Sequence, residues 1–144
     1  MMASTQRFIR PRQISTALVG FGRRGLKMAL AARSIRLLRI AGVADLYSGR
    51  LERAREAVGE DLPTVGDYRD LIERSEIQAV LIAVPEHWQG RICLESLEAG
   101  KHVYCETPMA RLPAEIQQIL NAQREGNLIF ETAVTQLSSP LHLR

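Results

Sequence analysis

Three glycines near the start of the chain have a spacing that suits the binding of a phosphate group. Gly20, Gly22 and Gly25 form a G-x-G-x-x-G pattern directly after an apolar run at residues 14–19, and a helical pattern follows them. Here the first glycine permits a tight turn, the second lets backbone N–H groups approach a diphosphate, and the third allows a helix to pack closely on a strand. The pattern therefore predicts a dinucleotide-binding loop, called the glycine loop below, at residues 20–25.

The residues between these glycines complete the predicted loop. Phe21, Arg23 and Arg24 stand beside the expected diphosphate, where the start of the helix also supplies partial positive charge. The two arginines either add charge to this site or are simply solvated. A glycine turn that serves only packing is the alternative for the whole pattern, but the strand before it and the helix after it favour phosphate binding.

A carboxylate stands where such a site needs one for the adenosine ribose. Asp45 lies twenty residues after Gly25, at the end of a second apolar run, and can accept hydrogen bonds from the ribose hydroxyls. This position favours NAD as the cofactor. Ser48 and Arg50 follow closely and could neutralise a 2′-phosphate, which keeps NADP as a second candidate. A role for Asp45 only in capping the next helix is the other alternative.

Apolar runs and helical patterns alternate along the chain, which is typical of βαβ units. Strands are predicted at residues 14–19, 38–44, 64–65, 77–83, 102–106 and 128–135, with helices at about 22–33, 48–58, 68–72, 87–99 and 112–125. The fold class is therefore α/β: a doubly wound, mostly parallel six-stranded Rossmann sheet with helices on both faces and the strand order 3-2-1-4-5-6.

Individual residues are assigned within these elements. Ser48 and Asp67 are predicted to cap helices, and Gly59, Gly100 and Gly126 to end them. The residues predicted to face the core are Leu26, Ala29, Leu30, Leu51, Ala54, Val58, Leu71, Ile72, Leu112, Ile116, Ile119 and Leu120.

Two further loops follow predicted strands. Residues 84–88 read Val-Pro-Glu-His-Trp after the fourth strand, and residues 104–109 read Tyr-Cys-Glu-Thr-Pro-Met at the end of the fifth. Together with the glycine loop and Asp45, these motifs resemble the Gfo/Idh/MocA oxidoreductase family in order and spacing. The resemblance covers the chain from residue 14 to about residue 140.

The resemblance assigns roles to the two loops. It implies that Val84 and Pro85 line the cofactor cleft, that His87 and Trp88 lie beside the cofactor, and that Glu106 contacts the nicotinamide ribose. Both loops leave the carboxyl ends of strands, where ligands bind in open α/β sheets. The alternatives are a histidine bonded to local backbone, a partly buried packing tryptophan and a solvated acid at a strand end.

The chemical step is less defined than cofactor binding. Thr107 stands where the family's E-K-P motif has a lysine, and a threonine cannot act as a cation or titrate near neutrality. The catalytic residues are therefore unknown. We expect residues 1–13 to be a basic lead-in, residues 14–135 to form the nucleotide domain, and residues 136–144 to begin the link to a substrate domain that this chain lacks.

Three functions are compatible with these features. The first is NAD(H) binding by half of an oxidoreductase, with hydride transfer to or from a sugar or polyol once a second domain is supplied. The others are NAD-dependent glycoside cleavage within the same family and a non-catalytic module that senses dinucleotide or assists assembly.

Composition excludes several other classes of function. The 144 residues carry a net charge of +3, but the basic residues are spread along the chain, which argues against a nucleic-acid partner. Two cysteines without ligand spacing predict no metal site and a reducing cytoplasm, and no run is long enough to span a membrane. Because Leu128, Phe130 and Val134 would be uncovered without a second domain, we also expect a homo-oligomer or marginal solubility.

Overall fold

The computed structural model describes residues 13–133. They form one sheet of six parallel strands in the order β3-β2-β1-β4-β5-β6. The elements along the chain are β1 (Ile14–Val19), α1 (Arg23–Ala32), β2 (Leu38–Ala44), α2 (Ser48–Val58), β3 (Thr64–Val65), α3 (Arg69–Ile72), β4 (Ala79–Ile82), α4 (Glu86–Glu98), β5 (His102–Cys105), α5 (Pro113–Glu125) and β6 (Phe130–Thr132). The predicted fold class and strand order are confirmed.

Helices cover both faces of the sheet because successive side chains of a strand point to opposite sides. Leu18 packs in a cluster with Ala29 of α1 and Ala54 of α2. Its neighbours Ala17 and Val19 belong to a larger cluster on the other face. That cluster takes its helical members from α3, α4 and α5, namely Leu71, Ile72, Ile92, Cys93, Leu97 and Ile119. The two clusters, one on each face, show that helices bury both sides of the sheet, as in a doubly wound fold.

Strand β4 is shorter than predicted, although its pairing extends beyond its assigned ends. Its four residues pair with residues 16–19 of β1. Backbone hydrogen bonds continue from Gln78 N to Ser15 O and from Ala83 N to Val19 O. The Ile77 carbonyl instead accepts a hydrogen bond from the Lys101 ammonium at 2.8 Å, which ties the start of β4 to the start of β5.

Two residues predicted to face the core are exposed. The buried stripe of α1 runs through Gly25, Ala29 and Ala32, which turns Leu30 away from the sheet and leaves it 49% exposed. Leu112 is 58% exposed because it precedes α5 as its N-cap residue, where its N–H donates to the Glu115 carboxylate. Both predictions were wrong because apolar periodicity alone does not fix which side of a helix meets the sheet.

The two predicted caps lie one residue away from the observed ones. The Tyr47 carbonyl accepts from the N–H groups of residues 50 and 51, so Tyr47 is the N-cap of α2 and Ser48 is its first residue. The N-cap of α3 is Tyr68. Asp67 precedes it, and its carboxylate accepts from Arg69 N at 2.9 Å.

The β6 edge also differs from the prediction. Leu128 and Phe130 are partly buried and pack against the larger cluster, whereas Ile129 between them is 67% exposed. The two residues that were expected to be uncovered are thus partly buried, and β6 begins at Phe130 rather than at residue 128 as predicted. Val134, the predicted end of β6 at Thr135, the segment 136–144 and nearly all of the 1–13 lead-in lie outside the described residues.

Candidate functional site

The glycine loop lies at the carboxyl end of β1, where two glycines are required by geometry. Gly20 has a φ of +88°, and a Cβ on it would lie 2.5 Å from the Ala83 carbonyl oxygen. A Cβ on Gly25 would lie 1.9 Å from the Gly20 carbonyl oxygen. The predicted tight turn at Gly20 and close packing at Gly25 are therefore confirmed.

The space in front of Gly22 is bordered by the side chain of Arg50 at van der Waals distance. The nearest atoms to a Cβ built on Gly22 belong to the Arg50 guanidinium, at 3.9 Å. No side chain caps the amino end of α1, and its first turn carries no acidic residue. The first N–H groups of this helix and its partial positive charge therefore remain available to an anion, and exposed Arg23 adds a full charge beside them.

Asp45 organises the backbone of the glycine loop. Its carboxylate is 4% exposed, and Oδ2 accepts a hydrogen bond from Phe21 N at 2.7 Å while Oδ1 accepts one from Tyr47 N at 3.0 Å. The Phe21 side chain is 1% exposed and packs in the core. Phe21 can thus contact a ligand only through its backbone, and its N–H group already donates a hydrogen bond to the Asp45 carboxylate.

Arg50 lies next to this carboxylate and over an aromatic ring. Its guanidinium is 3.5 Å from Asp45 Oδ2 and 4.7 Å from the centre of the Tyr47 ring. Tyr47 itself is 64% exposed. The site residues that follow β2 therefore combine a buried carboxylate with an exposed, stacked cation, an arrangement that can meet both a ribose and an adenine ring.

Residues 84–88 lie at the carboxyl end of β4, beside the glycine loop in the sheet. Val84 is partly buried and packs against the larger core cluster, and Pro85 is the N-cap residue of α4. His87 and Trp88 are both exposed, with their ring centres 6.0 Å apart. Their side chains face solvent on the first turn of the helix and are available to a ligand.

Glu106 follows β5 and forms an ion pair with the glycine loop. Its Oε1 lies 2.7 Å from Nε of Arg24, so two residues predicted separately from the sequence are brought into contact. The hydrogen bond to Glu106 raises the pKa of Arg24. Burial raises the pKa of nearby Tyr104, and the charge of Glu106 adds to that shift.

Gln89 is a site residue that the sequence motifs did not identify. Its side chain is 1% exposed, and its amide donates hydrogen bonds to the carbonyl oxygens of Glu106 and Pro108. It therefore fixes the backbone on both sides of Thr107, whose side chain is exposed. The only signal in the sequence was a polar residue at a position of α4 that faces the core.

Residues 13–133 contain neither a helix that could span a membrane nor a cluster of side chains that could hold a metal ion. Within this range no helix is long and apolar enough to cross a membrane. The same residues contain no group of three or more His, Cys, Asp or Glu side chains that could hold a metal ion.

Comparisons with known proteins agree with this geometry. A model of the oxidoreductase family with an NAD-binding Rossmann fold, Gfo/Idh/MocA, matches residues 14–133. The glycosyl hydrolase family 109 protein 2 of Shewanella sp. (strain ANA-3) is 32% identical over an alignment of 117 residues that covers 76% of this chain and 26% of that protein. The inositol 2-dehydrogenase of Salmonella typhimurium is 25% identical over 78% of this chain and 34% of its own length.

A solved structure extends the likeness to three dimensions. The NAD-binding oxidoreductase from Klebsiella pneumoniae superposes with a TM-score of 0.83 and 26% identity, covering 91% of this chain and 37% of that one. The chain thus spans about a quarter to two fifths of the length of these relatives. On the strength of the match over residues 14–133, the chain belongs to the Gfo/Idh/MocA oxidoreductase family and carries its NAD-binding Rossmann domain.

Proposed function

We propose that the dinucleotide lies across the carboxyl ends of β2, β1, β4 and β5. The adenosine ribose meets Asp45 and Arg50, the diphosphate meets the glycine loop, and the nicotinamide ribose meets Glu106. Val84, Pro85, His87 and Trp88 line the crevice between them. The observation that carries this proposal is the uncapped start of α1 at Gly22, where the nearest atoms to a built Cβ are those of the Arg50 guanidinium at 3.9 Å and the first helical N–H groups can bind a diphosphate.

NAD(H) is the preferred cofactor in this proposal. The nearly buried carboxylate of Asp45 repels the two charges of a 2′-phosphate, and Arg50 offsets only part of that repulsion because it is half exposed. NADH should therefore bind more tightly than NADPH, and Asp45→Ala should narrow the difference between them.

Hydride transfer requires residues beyond this domain. When bound, the nicotinamide supplies the hydride chemistry, while this chain binds the cofactor, orients it and excludes water from one side. We propose a carbohydrate-like hydroxyl as the substrate, held by a second domain, because inositol 2-dehydrogenase is among the relatives. We also place the protein in the cytoplasm, in keeping with its two buried free cysteines.

Glycoside cleavage that depends on a retained NAD is a second candidate. A relative with 32% identity is a glycosyl hydrolase family 109 protein, and Thr107 stands at the position of the lysine that would assist ordinary alcohol oxidation. A complex with the full substrate domain that releases sugar without net reduction of NAD would favour this candidate. Stoichiometric NADH production would favour the dehydrogenase.

We also propose that the chain associates with a second copy through the β6 edge. Ile129 is 67% exposed and precedes β6, which is an edge strand of the sheet formed by residues 13–133. A second copy or a second domain can cover this surface. Light scattering should show a dimer for the isolated chain and a monomer for Ile129→Lys. A monodisperse monomer of the unaltered chain would refute self-association.

The binding site is tested by blocking the diphosphate space. Gly22→Val should abolish NADH binding in a fluorescence titration while leaving the fold intact, because Gly22 has an extended backbone with φ at −72° and its Cβ would meet the flexible end of the Arg50 side chain at 3.9 Å. Ala31→Val is the matched control, since it adds the same side chain at an exposed position near the other end of α1. Undiminished binding by Gly22→Val would contradict the proposed site.

A further inference from the structure

The contact between Arg24 and Glu106 joins loops that are far apart in the sequence. The two residues are separated by 82 positions, and their side chains meet at 2.7 Å. Arg24 belongs to the first turn of α1, and Glu106 follows the last residue of β5. The side chain of Arg24 is 48% exposed and that of Glu106 is 16% exposed. If the ion pair breaks, water can solvate the guanidinium more fully than the carboxylate.

The position of this ion pair relates it to the crevice. Strands β1 and β5 are not neighbours, because β4 lies between them in the sheet. An ion pair from the β1–α1 loop to the end of β5 therefore passes over the carboxyl end of β4. A dinucleotide that runs from the glycine loop to Glu106 must cross the same place.

A bound diphosphate would compete with Glu106 for the guanidinium of Arg24. A diphosphate at the start of α1 offers Arg24 an anion with more charge than one carboxylate. Glu106 would then lose its cation while its backbone stays fixed by Gln89. Tyr104 and Glu131, which pair with each other across β5 and β6, supply no positive charge to replace it.

We propose that Arg24 moves from Glu106 to the diphosphate on binding, and that this exchange makes the site select complete dinucleotides over adenine mononucleotides. A dinucleotide compensates Glu106 with the hydroxyls of its nicotinamide ribose. ADP takes Arg24 but has no second ribose, and so leaves a partly buried carboxylate without a partner. This inference rests on the proposed placement of the dinucleotide.

The test is a double-mutant cycle with two ligands. Dissociation constants for NADH and ADP are measured calorimetrically on the unaltered chain, Glu106→Gln, Arg24→Gln and the double variant. Glu106→Gln should tighten ADP binding about threefold, which is the strength of an exposed ion pair, and should lower the preference for NADH over ADP by at least that factor. In the Arg24→Gln background the same substitution should leave ADP binding unchanged.

Glu125→Gln is the charge-matched control. It removes one acid from the exposed carboxyl end of α5. This end leads into the amino end of β6, whereas Glu106 follows the carboxyl end of β5, and ADP binding should not change. Equal tightening by Glu106→Gln with and without Arg24 would overturn the exchange, as would no tightening at all. If the unaltered chain binds neither ligand, the proposed function fails instead, and the two failures are thereby distinguished.

Discussion

At the glycine loop, hydrogen bonds and packing within the domain fix the backbone. At the far end of the proposed site, formed by residues 84–88 and 106–107, most candidate side chains are exposed to solvent. Asp45 is nearly buried and bonds two backbone N–H groups, and Gly25 leaves no room for a methyl group. By contrast, Trp88 is 42% exposed, and His87 and Thr107 are also exposed. In the proposed placement, the diphosphate end is therefore preorganised by residues 13–133, while the nicotinamide end is fixed less firmly by them.

The difference between the two ends bears on what cofactor binding requires and what a reaction at the nicotinamide requires. A rigid loop with a free helix start is sufficient to hold a diphosphate, so dinucleotide binding needs little beyond residues 13–133. A reaction at the nicotinamide needs substrate and proton donors held within hydrogen-bond reach. Thr107 cannot supply a cation there, and the neighbouring residues face open space. Residues 13–133 therefore provide the features of a binding site more completely than those of a catalytic site.

Gly25→Ala should have the largest effect, at the rigid end. The added methyl group would overlap the Gly20 carbonyl, which should cost about 3 kcal/mol of unfolding free energy or more and abolish NADH binding. Gly49→Ala is the control, because nothing lies within 4 Å of its Cβ and alanine favours a helix. Chemical denaturation measures both, and equal stability of the two variants would remove the argument for a rigid loop.

Asp45→Ala should be the next most harmful change. It leaves the N–H groups of Phe21 and Tyr47 without their acceptor, at a cost of about 1–3 kcal/mol, and weakens NADH binding by releasing the loop as well as the ribose. Asp45→Asn keeps one acceptor oxygen and should lie between the two. A stable Asp45→Ala variant that loses only NADH affinity would show that the carboxylate serves the ligand alone.

Gln89→Met tests whether a buried hydrogen bond of the domain fixes the backbone at the far end of the proposed site. Methionine has a similar volume but no donor, so the Glu106 and Pro108 carbonyls lose their partner at a cost of about 1 kcal/mol. NADH binding should weaken more than ADP binding, because only NADH reaches Glu106 in our proposal. Gln118→Met on exposed α5 is the control, and an equal loss for both ligands would argue against a local role.

Trp88→Ala should have the smallest effect on stability. Its ring is half in solvent and lies on the first turn of α4, so the unfolding free energy should change by about 0.5 kcal/mol or less, with a modest loss of NADH affinity. A destabilisation as large as that of Asp45→Ala would contradict the contrast between the two ends.

Local patterns were sufficient to predict the sheet order and the glycine loop. The tight turn at Gly20 and the close packing at Gly25 depend only on β1 and α1, which are adjacent in the sequence. The position of the glycines between these two elements was therefore enough to predict both. The contact of Arg24 with Glu106 could not be predicted, because it depends on how two loops 82 residues apart meet in space. Gln89 was missed for the same reason, since its partners are backbone carbonyls that no side-chain pattern reveals.

Leu30 shows the corresponding limit for the core. Its apolar neighbours suggested burial, but the close approach of Gly25 to the Gly20 carbonyl sets the rotation of α1 on the sheet. That rotation buries Ala29 and leaves Leu30 exposed. A packing constraint at the binding loop thus decided the burial of a residue more than a turn away.

Amide chemical-shift mapping of the isotopically labelled chain during NADH titration tests the central claim most directly. The account predicts the largest shifts at the N–H groups of residues 21–25, with smaller shifts at Asp45, Trp88 and Glu106. Shifts that cluster elsewhere, for example in the groove between α4 and α5 lined by Leu97 and Ala122, would contradict the placement of the dinucleotide at the carboxyl ends of the strands.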